Sequence, residues 1–193
     1  MLDNLTTSLS LIALQTQQNL PLLGIILLIL WGLLFITTFI APNLLRLGII
    51  PRRWYGLMGI FTAPFLHADF NHLFFNTIPL LVLSNFILLD GLPYFLYITS
   101  LIGFISGFLT WCFGKFAIHI GASALVTGYW GFLISRVWTQ GSITAIILGV
   151  LSLYYFGGIF LGIFPSKRGV SWEGHLFGLI AGVIASFLTT HPY

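Results

Sequence analysis

Apolar positions along the chain gather into six long runs, at roughly residues 20–41, 72–89, 92–113, 121–138, 142–164 and 174–190. As helices rising about 1.5 Å per residue, all six reach across ~30 Å of hydrocarbon, the second, fourth and sixth only just. The runs are apolar on all sides, and none shows the alternation over about ten residues that marks a barrel strand. The pattern predicts an all-α, polytopic membrane protein built as a six-transmembrane-helix bundle. Residues 1–19 mix Leu and Ile with Thr, Ser, Asn and Gln. With no basic start and no small-residue cleavage pattern, they read as an N-terminal segment and not as a cleaved signal peptide.

Most links between runs are short: Asp90-Gly91, Gly114 to Ile120, Thr139 to Gly141, and Pro165 to Glu173. Short links make consecutive helices antiparallel neighbours, so residues 1–193 are expected to form one membrane domain with its core at about 54–190. The link from about 42 to 71 is different. It holds Pro42, Pro51 and Pro64, the cations Arg46, Arg52 and Arg53, and the aromatics Trp54, Phe61, Phe65 and Phe70. An interfacial or partly re-entrant loop is expected, with Trp54 and Tyr55 at headgroup level.

Composition supports the membrane class: 58% of residues are hydrophobic and 6% charged, against about 25% charged in soluble domains. Seven Lys and Arg against four Asp and Glu is too small an excess to indicate nucleic acid, and basic loop residues are better read as topology signals. Cys112 is the only cysteine, so no intrachain disulfide can form. At the end of an apolar run it is expected to pack as a small hydrophobe.

Small residues recur at helical spacing. Gly103 and Gly107 form one pair and Gly158 and Gly162 another, both read as ordinary close packing between helices in lipid. Gly174, Gly178 and Gly182 form a stripe in the last run, and His175 sits beside it. His175 shares a face with Gly178 and Gly182, so the helix that packs on the glycines meets the imidazole.

Ionisable and polar groups at membrane depth are expensive and point to function. Ser123 heads the fourth run, where free amides and the helix dipole favour a developing negative charge. His72 and Asn76 share a face at the start of the second run, and both can donate hydrogen bonds to an oxyanion. In an antiparallel bundle the starts of the second, fourth and sixth helices lie on one side of the membrane. Ser123, His175, His72 and Asn76 are therefore expected to converge there. Taken singly, each has a plainer explanation: a serine at a helix start is commonly a cap, and a lone His or Asn often bonds a neighbouring helix. His119, in the preceding link, reads as an interfacial histidine before it reads as a base. Glu173 is two residues from His175 and faces elsewhere, so a Ser–His dyad without a carboxylate is the chemical expectation.

The run His67-x4-His72-x3-Asn76, the segment Gly121-x-Ser123-x4-Gly128, and His175-x2-Gly178-x3-Gly182 together resemble the rhomboid intramembrane proteases over roughly residues 54–190. That resemblance implies a serine endopeptidase acting on transmembrane substrates in the lipid bilayer, with no cofactor and no metal. It implies Ser123 as nucleophile, His175 as general base, and His72, Asn76 and the Ser123 amide as oxyanion donors. His67 would match a structural histidine. The sequence departs from the family in three places. Ala124 replaces a usual glycine. Thr127 replaces the aromatic that stacks on the base, leaving Trp172 or Tyr129 to orient His175. Met58-Gly59 offers no match to the family's Trp-Arg pair.

The two guides to orientation disagree. Arg46, Arg52, Arg53, Lys115, Lys167 and Arg168 lie on the Ser123 side and only Arg136 opposite, which by positive-inside counting puts the site in the cytoplasm. Related rhomboids carry it on the extracytoplasmic side of a plasma membrane, and the family is the better guide for a semi-embedded loop. The rival readings are an inactive rhomboid relative that escorts membrane clients, and a small transporter. A transporter needs polar groups through the depth of several spans, whereas these cluster on one side. Substrate and oligomeric state are not legible.

Overall fold

A computed structural model describes residues 2–164 and 171–189, with side chains from Thr6 onward. Its helices are α1 (Leu2–Phe39), a short α2 (Gly59–Thr62), α3 (Phe70–Leu88), α4 (Leu92–Phe113), α5 (Ser123–Thr139), α6 (Ile143–Phe156) and α7 (Trp172–Leu188). Gly157–Ile163 continues α6 as a tighter 3-10 turn. Among the described residues the only strand-like pairing is an isolated bridge between Ile49 and His119. Among the described residues, four helices are long and apolar enough to cross a membrane: Thr6–Phe39, Phe70–Leu88, Leu92–Phe113 and Ile143–Ile163. α5 and α7, at 17 residues each, rise only about 25 Å.

The N-terminal segment is not separate from the first span. One 38-residue helix runs through both, with Pro21 inside it. The polar residues explain this. Asn19 donates to Asn85 of α3 across 3.0 Å, and Asn85 donates to Thr16 across 2.8 Å. Thr16 and Asn19 are three apart and so share a face, which glues α1 to α3 through hydrogen bonds that hydrocarbon could not supply.

The long link is an ordered, partly buried layer with Ile49, Ile60, Ala63 and Leu66 turned inward and Trp54 exposed. It is stitched to the end of α4. Arg52 donates to the carbonyls of Cys112 and Gly114, and the Trp111 indole donates to the Arg53 carbonyl. Arg52 thereby satisfies carbonyls that the helix end leaves without partners. At the far end of the molecule Arg136 pairs with Asp90 at 2.5 Å, bonds Gln140, and lies over Phe132 and Tyr94. Several cations counted as topology signals thus have structural partners. Lys167 and Arg168, and the end of the sixth run at residue 190, lie outside the described residues.

The tightest packing joins α5 and α7. A side chain at Gly178 would collide with the Ala124 carbonyl and the Thr127 hydroxyl, and one at Gly182 with the Gly128 carbonyl. Gly128 and Gly131 return the contact against the carbonyls of Gly178 and Leu179. The expected stripe is real at Gly178 and Gly182. The other pairs differ: Gly107 packs on Ile60 of α2 and not on a span, and Gly158 has open space beside it. The Gly158–Gly162 pair is therefore no packing stripe.

Candidate active site

Ser123 is the first residue of α5 but does not cap it. The cap position is Ala122, with no side-chain hydrogen bond. Elsewhere the chain caps conventionally: Asp69 accepts from the His72 amide, Ser142 from Ala145 and Ser171 from Gly174. The plainer explanation of Ser123 as a cap therefore fails. Ser123 lines a cavity of about 40 Å³ together with residues that include Gly103, Ser106, Thr110, His119 and Ser171, large enough to admit water.

The approach to Ser123 is held from below by histidines of the first loop and α3. Gly121 has φ +114°, a left-handed conformation that L side chains rarely adopt, and the His72 ring fills the space where a Cβ would stand. The Ala68 amide points at His72 Nδ1 from 3.5 Å. An amide only donates, so neutral His72 carries its hydrogen on Nε2, the atom nearest Gly121. His67 is 1% exposed, and its Nε2 accepts from the Ala122 amide at 3.3 Å. Burial, helped by the neighbouring His72, pushes His67 down to about 4, so it stays neutral as this bond requires. Asn76 is buried and donates one amide hydrogen to the His72 carbonyl at 3.0 Å, leaving the other.

His175 lies one turn from Gly178, where α7 meets α5. Its Nδ1 stands 2.9 Å from the carbonyl of Gly162, in the turn that continues α6. A carbonyl only accepts, so Nδ1 bears the hydrogen and Nε2 keeps its lone pair. The two residues expected to orient His175 are engaged elsewhere: Tyr129 bonds Thr99 and rests on Phe95, and Trp172 lies under Lys115. A backbone carbonyl has no side-chain signature, so Gly162 could be found only from coordinates.

The structure thus gathers His67, His72 and the Gly121–Ser123 turn, and presses α7 onto α5. Among the described residues no hydrogen bond joins Ser123 to His175. Unliganded catalytic hydrogen bonds are commonly long or misaligned.

Residues 51–192 match the family description Rhomboid domain, a span that contains every residue of this site. The chain belongs to the rhomboid family. Uncharacterized proteins of Mycobacterium tuberculosis and Mycobacterium bovis are each 41% identical over 154 residues, covering 75% of this chain and 64% of theirs. One of Mycobacterium leprae is 40% identical over 151 residues, covering 70% of this chain and 57% of its own. The chain therefore spans less than two thirds of these relatives' length. Its four apolar helices and rhomboid domain make it an integral, multi-pass membrane protein.

Proposed function

We propose that this chain is an intramembrane serine endopeptidase working through a Ser123–His175 dyad. The observation that carries the reading is the state of those two side chains. The Ser123 hydroxyl is not spent on capping, and His175 is held at Nδ1 with Nε2 left basic. Gly162 does for His175 what a carboxylate does in a triad, fixing tautomer and ring direction, though without a charge to stabilise the imidazolium.

In this mechanism Nε2 of His175 takes the Ser123 proton as Oγ attacks the scissile carbonyl. The oxyanion draws on His72 Nε2–H, the free Asn76 hydrogen and the Ser123 amide. Protonated His175 gives its proton to the leaving amine, and water reaching the acyl-enzyme through the cavity beside Ser123 completes hydrolysis. The substrate is a transmembrane segment unwound near the cut, because a helical peptide bond is sheltered from attack.

In this reading α5 and α7 are the fourth and sixth spans of a single domain. Because they are shorter than the hydrocarbon core, they begin beneath the surface and set the dyad at membrane depth. The site is assigned to the extracytoplasmic side of a plasma membrane on family grounds. A second reading, an inactive relative that binds membrane clients, is favoured by one observation, the lack of a Ser123–His175 bond. The test is cleavage of a single-span substrate in proteoliposomes. Wild type should cleave while Ser123→Ala and His175→Ala do not. Cleavage by Ser123→Ala, or none by wild type, contradicts the proposal.

A further inference from the structure

His119 lies beside the site and has no task in that mechanism. It is buried at 8% exposure and lines the same cavity as Ser123. Its Nε2 lies 2.8 Å from the Lys115 carbonyl, so Nε2 carries the hydrogen and Nδ1 must accept. Nδ1 lies 2.7 Å from Ser171 Oγ, which therefore donates to it. Ser171 in turn accepts the Gly174 amide at 3.3 Å as the N-cap of α7. A directed chain runs from the residue before His175, through Ser171 and His119, into the segment that ends at Ser123. The backbone of His119 also pairs both ways with Ile49, at 2.9 Å each, bringing in the long loop.

We propose that His119 is a positioning residue: through Ser171 it holds the start of α7, and with it His175, in register with Ser123. The proposal rests on the dyad reading above and adds what aligns it. A second link spans the same two segments, the Lys115–Glu173 ion pair at 3.5 Å, but its lysine is 71% exposed. Water and salt weaken such a pair. The hydrogen bonds through His119 are directional and partly sheltered, and they are the ones able to fix a register.

The test uses the full chain in detergent, reading both the rate of fluorophosphonate labelling at Ser123 and kcat and KM on a single-span substrate. His119→Leu keeps the volume but not the bonds, and Ser171→Ala removes the partner. Each should lower the labelling rate and kcat by about 10- to 100-fold, the scale of an ångström misplacement, with KM little changed. His119→Asn puts its Oδ1 where Nδ1 stood, still accepts from Ser171, and should recover most of the rate. His119→Leu combined with Ser171→Ala should lose no more than the worse single change. Wild-type rates in His119→Leu overturn the proposal, as do losses that multiply in the double variant or an Asn variant as slow as the Leu one. If His119→Leu does not fold, Ser171→Ala and His119→Asn decide by the same criteria. Wild-type labelling that Ser123→Ala abolishes isolates a failure here from a failure of the dyad reading. An unlabelled wild type overturns both.

Discussion

His175 and Gly162 are joined by a 2.9 Å hydrogen bond from a ring nitrogen on α7 to a backbone carbonyl in the 3-10 turn that follows α6. The same geometry makes Gly162 intolerant of a side chain, since a Cβ there would stand 2.7 Å from His175 Nδ1. Gly162→Ala should displace the imidazole and lower kcat by about 100-fold without loss of the folded protein. Gly158, four residues earlier, has open space, so Gly158→Ala should be silent. Steady-state kinetics on the two variants check this. Equal activity in both would remove Gly162 from the site.

Asn76 is expected to act in the transition state. Its second amide hydrogen, on the α3 face that also carries His72, suits an oxyanion more than a ground-state carbonyl. Asn76→Ala should lower kcat by roughly 10²- to 10³-fold with KM nearly unchanged. A raised KM with unchanged kcat would assign Asn76 to substrate positioning.

The α5–α7 contact should be less forgiving than the glycines of α4. Gly178→Val would drive a branched side chain into the Ala124 carbonyl one residue from Ser123, whereas a Cβ at Gly103 meets Leu125 at an ordinary 3.6 Å. Gly178→Val should lose activity well beyond its loss of thermal stability, and Gly103→Val, which leaves the α5–α7 contact untouched although it lines the cavity beside Ser123, should be milder for both. Labelling and melting in detergent separate the two effects. Activity that simply tracks melting in both variants would reduce the stripe to packing.

His67 predicts a pH dependence of stability. Its folded value of about 4 lies below the ordinary 6.5, so the unfolded chain binds the extra proton. The resulting stability is complete above about 6.5 and is lost as pH falls toward 4, by up to roughly 3 kcal/mol. Melting temperature followed from pH 7 to 4 should drop for the wild type and flatten in His67→Gln. Parallel curves for the two proteins would contradict the assignment.

Much of this was visible in the sequence, and what was not has physical causes. The apolar runs located helices because lipid demands continuous hydrophobic length, and residues 92–113 coincide with α4. The polar stretch before residue 20 hid the start of α1, because Thr16 and Asn19 are satisfied by a distant Asn85. Charge counting takes every cation as a topology signal, yet some have internal partners, as Arg52 does on the carbonyls of Cys112 and Gly114 and Arg136 on Asp90. Spacing within helices placed His72 with Asn76 and His175 with Gly178. It gave no hint of the Gly162 carbonyl or of the His119–Ser171 bond, which join segments distant along the chain.

The central claim is that Ser123 is a nucleophile activated by His175. Mass spectrometry of the fluorophosphonate-treated protein tests it most directly. The expected result is a single phosphonyl adduct on Ser123, absent from Ser123→Ala and nearly absent from folded His175→Ala. No adduct on the wild type, or equal labelling when His175 is removed, would contradict it.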